Sequence, residues 1–299
     1  MVRHLPIEEQ VIAVTGASSG IGLCTALMAA ERGAKVAMIS RSDDILQEMA
    51  SAIRTEGGDA LGIGADVSSR QDVDAAVEAI MRRFGRIDTW VNNAGVAIYG
   101  RLTEVSEQDS RRLFDVNFWG VVNGSLAALP HLARSGGALI NIGSELSDAV
   151  VPLQGMYVAS KHAVKGFTDA LRVEIERIGQ TPVSVVLIQP TAVDTPYPEH
   201  ARNYMDREPK LPDPMLDPTR VANAILKAAV EGGRDVTVGA MAAMNTAVSK
   251  LLPRLADRMA VLQGGRQQRD MAPRQREGAL YQPSQDGRIH GSGAGADRG

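Results

Sequence analysis

The chain has one cysteine, few aromatic side chains, almost no net charge and no long apolar run. Cys24 cannot close an internal disulfide, which fits a reducing compartment. It lies inside an apolar helical pattern, where a small core residue is the plainer reading and a reactive thiol the other. Aromatics are scarce at 4%, yet 44% hydrophobic and 22% charged residues make a globular composition. Lys and Arg number 32 against 35 Asp and Glu, so the net charge of −3 offers no basic field to attract nucleic acid. No window reaches the roughly 18 consecutive apolar residues of a membrane span. The opening MVRHLPIEEQ lacks the apolar core of a secretory leader. No solenoid-type repeat is present. The expectation is a soluble, cytoplasmic protein with no metal site.

The 299 residues suit one large α/β unit, and the 30 glycines imply many tight turns. Short β-branched or apolar runs occur at 11–16, 35–40, 60–66, 87–93, 137–144, 183–190 and 235–239. They are near-continuous rather than alternating, as strands buried on both faces should be. Helical patterns fill 21–32, 43–56, 70–83, 107–133, 155–178 and 218–231. Strand and helix alternating in this way predict right-handed crossovers and a doubly wound parallel sheet of about seven strands, helices on both faces.

Three regions depart from the alternation. Residues 191–217 are rich in proline and polar groups and follow a strand's carboxyl end, where open sheets form ligand crevices. Residues 241–262 predict an amphipathic helix with Met241, Met244, Val248, Leu251, Leu255, Met259 and Leu262 on one face. Lys250, Arg254 and Arg258 fall off that face, and Pro253 should kink or divide the helix. It would pack on the domain or another subunit; a membrane surface is the other partner considered. From 263 to 299 large apolar residues nearly vanish, so the tail is expected to be disordered.

The first strand ends in TGASSGIG, Thr15–Gly22. Gly16, Gly20 and Gly22 would let the chain turn tightly beside a ligand, and the N–H groups of Ser18, Ser19 and Ile21 open the helix. A pyrophosphate is the natural guest. An acidic residue at the next strand's end would bind a ribose 2′-hydroxyl; here Ser40 and Arg41 stand there. An arginine suits a 2′-phosphate, which favours NADP(H) over NAD(H). Arg41 as a solvated charge beside a helix start is the bland alternative.

TGASSGIG, NNAG at 92–95, Ser144 and YVASK at 157–161, in this order and spacing, together resemble the short-chain dehydrogenase/reductase family over roughly residues 8–240. The resemblance implies a Rossmann dinucleotide-binding and catalytic domain over residues 1–240 and a catalytic set of Asn117, Ser144, Tyr157 and Lys161. Tyr157 would be the general acid/base, Ser144 would position the substrate oxygen, and Asn117 would join a proton relay. Lys161 would bind ribose and lower the tyrosine pKa. It further implies that Asp66 and Val67 touch adenine, that Asn92, Asn93, Ala94 and Gly95 abut the cofactor, and that Pro190 and Thr195 lie near the carboxamide. Thr191 stands where the family has glycine.

The residue chemistry agrees. At about 100° per residue, Tyr157 and Lys161 sit roughly 40° apart on one helix face. They border a stripe of Val164, Phe167, Leu171, Ile175 and Ile178, expected to be buried. Desolvation raises a tyrosine pKa, and a neighbouring ammonium opposes it. Glu145, Leu146, Gln154, Met156, Thr191 and Tyr197 are expected to line the substrate cleft. The expected activity is an NADP(H)-dependent oxidoreductase acting on a small-molecule carbonyl or secondary alcohol, and the family resemblance implies a homodimer or homotetramer with helices 107–133 and 155–178 at one interface. A non-catalytic NADP(H)-binding sensor or scaffold on the same fold is the alternative from another class.

Overall fold

Runs of Val, Ile and Ala with no polar alternation can be strands only if both faces are covered, and the structure covers them. The structure, a computed structural model, describes residues 4–284 and 287–292, with the backbone alone described at 241–243, 250 and 263. Seven parallel strands form the main sheet: β1 (Val11–Thr15), β2 (Lys35–Ser40), β3 (Asp59–Gly64), β4 (Thr89–Asn92), β6 (Ala138–Ile142), β7 (Ser184–Pro190) and β9 (Asp235–Val238). Their order is β3-β2-β1-β4-β6-β7-β9. Central β1, β4, β6 and β7 are buried along their whole length. Burial alternates only at the edge strands β3 and β9, which have one neighbour each.

The crossover helices are α1 (Gly20–Glu31), α2 (Asp43–Thr55), α3 (Arg70–Phe84), α4 (Glu107–Phe114), α5 (Gly120–Ser135), α6 (Gly155–Arg172) and α7 (Pro218–Glu231). One face of the sheet packs on α1, α2 and α7 around Ile12, Val14, Val36, Ile140 and Ile188. The other packs on α3, α5 and α6 around Ala13, Trp90, Leu139 and Val185. A short parallel pair, β5 (Ile98–Tyr99) with β8 (Arg202–Asn203), closes the loop region. At two residues each, these strands are too short for a periodicity to mark them in the sequence.

Two helices run into π turns. The expected 107–133 helix is α4, a π turn at Asp115–Trp119, and α5. The 155–178 helix ends in a second π turn at Val173–Ile178. A π turn adds a residue and breaks the 3.6 period. The predicted buried stripe therefore holds at Val164 and Leu171 but fails at Ile178, which is 75% exposed.

The C-terminal region differs more from expectation. Residues 241–262 are divided at Pro253, one of the two outcomes expected of that proline. Leu252 breaks the path between α8 (Ala240–Leu251) and α9 (Pro253–Gly264), with Pro253 opening the second. The two helices do not share one buried face, because Met244, Leu251, Leu255 and Leu262 are exposed while Val248 and Met259 are half-buried. The side chains of Met241 and Lys250 lie outside the described residues. The 263–299 tail, expected to be disordered, is laid along the domain through residues 264–284 and 287–292. It has no core of its own. Its backbone instead pairs with loop residues, as in Glu208 N–H to Met271 O, Asn203 N–H to Arg276 O and Ala279 N–H to His200 O, and Leu280 docks into the α3–α5 side of the core. Apolar content alone does not count such borrowed partners. Residues 285–286 and 293–299 lie outside the described residues.

Helix α1 approaches the end of β1 closely because Gly22 has no side chain. A Cβ there would stand 2.3 Å from the Gly16 carbonyl oxygen. Gly22→Ala is expected to destabilise by about 1–3 kcal/mol through overpacking. At this chain length that is a fall of roughly 2–4 °C per kcal/mol in Tm by calorimetry; an unchanged Tm would contradict the close packing.

Candidate active site

Strand order reverses between β1 and β4, and the main cavity opens there, at the carboxyl ends of the strands. Its walls begin with the glycine turn: Gly16, Ser18, Ser19, Gly20 and Ile21 all line it. Gly16 has φ +66°, the left-handed region, and a Cβ there would meet Ala94 Cα at 2.7 Å. Gly22 lies behind the wall, packed on Gly16. Asn93 Nδ2 donates to the Thr15 and Gly16 carbonyls, and the backbone N–H groups of Asn93 and Ala94 donate to Thr15 Oγ1. Asn92 ties the central strands further inside, donating to Asn141 Oδ1 at 2.8 Å.

The wall continues through Ser40, Arg41, Asp66, Val67, Asn93, Ala94 and Gly95 to Ser144, Tyr157 and Lys161, and on to Pro190 and Thr195. Burial opposes ionisation of the Asp66 carboxyl, but bonds from Arg112 and Ser68 hold its pKa below the usual value. Arg112 Nη2 reaches Asp66 Oδ2 at 2.5 Å.

Ser144 follows β6 and opens a short 3₁₀ turn at Glu145–Ser147, its Oγ accepting from Leu146 N–H at 3.1 Å. Tyr157 and Lys161 lie on the first turns of α6, with Lys161 Nζ 5.6 Å from the phenol ring centre. Burial pushes the Tyr157 pKa up to about 12, while hydrogen bonds to the Tyr197 and Ser144 side chains act the other way. Burial brings the Lys161 ammonium down to about 8, and its Nζ donates to the Ile142 carbonyl at 2.8 Å. Burial, the influence expected to raise the phenol pKa, is thus the largest one acting on Tyr157. Desolvation of the phenol outweighs the other influences, and the lysine charge is itself weakened by burial.

Asn117 sits in the first π turn and is fully buried. Its Nδ2 donates to Val96 O and Ser160 Oγ, and its Oδ1 accepts from Val96 N–H. Ser160 Oγ in turn donates to the Tyr157 carbonyl. Both amide donors are taken up by protein, so the side chain clamps the base of the tyrosine's turn.

Glu145, Leu146, Gln154, Thr191 and Tyr197 all line the cavity beside Tyr157. Met156 does not; it packs with Phe167 on the core. Glu145 accepts from Thr191 Oγ1 at 2.9 Å and from Asn245 Nδ2 at 2.8 Å, while burial raises its carboxyl pKa. Tyr197 Oη donates to Gln154 Oε1, and Gln154 Nε2 donates to Gln267 Oε1 at 2.5 Å. Arg112, Asn245, Gln267 and the tail residues Ala279, Pro283 and Ser284 are site residues that the sequence did not single out. None belongs to a motif. The isolated Leu280-Tyr281 pair in a polar tail was the one hint.

A family model described as short chain dehydrogenase matches residues 10–205. An uncharacterized oxidoreductase of Bacillus subtilis, YxnA, is 45% identical over 256 residues, covering 85% of this chain and 72% of that protein. The 11-beta-hydroxysteroid dehydrogenase A of Sesamum indicum is 35% identical over 238 residues, covering 77% of this chain and 68% of that one. Among solved structures, a short chain dehydrogenase/reductase from Burkholderia phymatum in complex with NAD superposes with a TM-score of 0.75 at 26% identity, covering 84% of this chain and 96% of that one. An alcohol dehydrogenase from Thermococcus sibiricus complexed with 5-hydroxy-NADP gives a TM-score of 0.66 at 29% identity, covering 77% and 94%.

Folded Lys161 releases its proton near pH 8, against an ordinary 10.5. The unfolded chain therefore holds more protons between those values, and the lysine's contribution to stability rises with pH across that window. In urea unfolding, wild type should gain stability relative to Lys161→Met from about pH 8 to pH 10.5; a pH-independent difference would contradict the burial argument.

Proposed function

Because the chain belongs to the short-chain dehydrogenase family, we propose that it is an NADP(H)-dependent oxidoreductase that moves hydride between the nicotinamide and a carbonyl or secondary alcohol carbon. One observation carries this reading. A single cavity runs from the glycine turn past Arg41 to Ser144, Tyr157 and Lys161. A dinucleotide fits that run of residues. The turn gives backbone N–H groups at a helix start for phosphates, and Arg41 gives a guanidinium for a 2′-phosphate. Of the three N–H donors of Lys161, one goes to the Ile142 carbonyl, and among the described residues no second acceptor takes the others. Ribose hydroxyls would.

The bound nicotinamide would supply or accept the hydride. The chain's own groups do the rest. Ser144 Oγ and the Tyr157 phenol share a hydrogen bond and converge on the place for the substrate oxygen. With its pKa near 12, Tyr157 is protonated at neutral pH and can give a proton to the oxygen of a carbonyl being reduced. In the oxidative direction the positive charge of the oxidised ring would be needed to bring the phenol pKa down. Asn117 is a positioning residue that holds the Tyr157 turn through Ser160.

The cleft beyond the tyrosine combines apolar Leu146, Val151, Leu211 and Pro212 with the polar Gln154 and Tyr197. It suits a ketone or alcohol with an apolar body and few polar groups. Thr191 Oγ1 donates to Glu145 and fixes its carboxyl at the cleft wall. Trp119 and Leu126 on the α5 side, with Val173 and Ile178 beyond α6, are exposed and support a homo-oligomer through these helices. Among the described residues no helix is long and apolar enough to cross a membrane. The cytoplasmic placement read from the sequence belongs to the same proposal.

A panel of ketones, aldehydes and secondary alcohols, followed at the reduced-nicotinamide absorbance, tests the activity. Tyr157→Phe should lower kcat by about 10²–10⁴-fold with cofactor binding retained; full activity in that variant would remove the tyrosine from the chemistry. Arg41→Ala should weaken NADPH by roughly tenfold or more while leaving NADH unchanged or improved, as loss of a charge-assisted pair implies. Equal losses for both would contradict the assigned preference.

A further inference from the structure

Arg41 is placed for a 2′-phosphate, yet in the structure both its terminal nitrogens already have acceptors. Nη1 donates to the carbonyl oxygens of Leu280 at 3.3 Å and Tyr281 at 3.1 Å. Nη2 donates to those of Ala279 at 2.5 Å and Gln282 at 3.3 Å. Next to it, Ser42 Oγ donates to the Ser284 carbonyl. At the glycine turn, Gly20 N–H donates to the Arg288 carbonyl at 2.9 Å. The same tail stretch thus meets the donors of two separate parts of the dinucleotide wall. Its Ala279, Pro283 and Ser284 line the same cavity as Tyr157.

The stretch is anchored from outside the cavity. Leu280 is fully buried, packed in the core with residues of α3 and α5. The Leu280 carbonyl also accepts from Arg112 Nε at 3.2 Å, the arginine that holds Asp66. Tyr281 Oη donates to Asp109 Oδ1 at 2.8 Å, and Asp109 is fixed in turn by Tyr204 and Arg202. These anchors hold a row of carbonyl oxygens, each a partial negative charge, against a cation and a helix start suited to anions.

We propose that residues 279–284 and 287–288 are an internal stand-in for the cofactor. Their carbonyl oxygens take the donors that the phosphates of NADP(H) need, so the tail competes with the dinucleotide, lowers its affinity, and lowers that of NADP(H) more than that of NAD(H). The proposal rests on the dinucleotide reading of this cavity. An N–H group engaged by a carbonyl cannot also serve a phosphate. A phosphate bonded to a guanidinium makes the stronger, charge-assisted pair, so saturating NADPH can displace the tail. NADH lacks the 2′-phosphate and has no need of Arg41, so the tail costs it less.

Hydrogen exchange of the full-length protein reads the competition directly. Peptides covering residues 276–292 should exchange faster once NADPH is saturating. Slower exchange would mean that the tail clasps the cofactor, and would overturn the proposal. Binding to full-length Leu280→Ser and Tyr281→Phe variants, which keep the cavity residues and loosen the anchors, gives the second readout. Leu280→Ser should tighten NADPH by about tenfold and NADH by less than about threefold, with a smaller effect in the same direction for Tyr281→Phe. Unchanged or weaker NADPH binding overturns the competition, and equal gains for both nucleotides overturn the role of Arg41. Neither readout needs a substrate. A chain that binds neither nucleotide contradicts the dinucleotide reading as well, whereas wild-type affinities in the loosened variants contradict the tail assignment alone.

Discussion

The end of β1 and the end of β4 are held against each other by three interlocking contacts, and the site is built on them. Thr15 Oγ1 receives the Asn93 and Ala94 N–H groups, Asn93 Nδ2 reaches back to the Thr15 and Gly16 carbonyls, and the missing Cβ of Gly16 lets Ala94 sit against the turn. The glycine turn lines the cavity at a helix start, while the segment after β4 leads to Val96 and, through Asn117 and Ser160, to the backbone of Tyr157. The distance between the glycine turn and Tyr157 is thereby set by backbone packing at the point where the sheet order reverses. Larger side chains at this contact would move one wall relative to the other.

Burial governs the electrostatics of the site. The Tyr157 phenol, the Lys161 ammonium and the Glu145 carboxyl are all shifted toward their neutral forms, and desolvation is the leading cause in each. A phenol so shifted holds its proton at neutral pH. Charge placed beside groups so buried is screened less than it would be in water. Arg41 is held in the same way: burial opposes its charge, and tail carbonyls solvate it in place of water.

Most of the sheet was legible because both-face burial writes unbroken apolar runs, and the central strands match the runs at 11–16, 87–93, 137–144 and 183–190 within a few residues. The glycine turn, Ser144, Tyr157 and Lys161 were legible because each is tied to a strand end or a helix start at a fixed spacing. What escaped depends on contacts distant in sequence. The direction of the Tyr157 shift follows from how deeply the phenol is enclosed, which spacing does not reveal. Asn117 sits in a π turn, where helical periodicity fails, and meets Ser160 of α6 across 43 residues. Arg112, Asn245 and Gln267 meet their partners across 46, 100 and 113 residues. The tail was misread because its order comes from backbone carbonyls offered to Arg41 and Ser42, and composition carries no record of them.

The central claim is that this cavity joins a nicotinamide to a carbonyl carbon under the Tyr157 phenol. Turnover of a reactive ketone with NADPH deuterated at the transferring C4 position tests it most directly, with the product analysed by mass spectrometry. The account predicts one deuterium on the carbinol carbon in wild type and loss of that product in Tyr157→Phe. A product without deuterium, or NADPH bound with no ketone reduced across the panel, would contradict it.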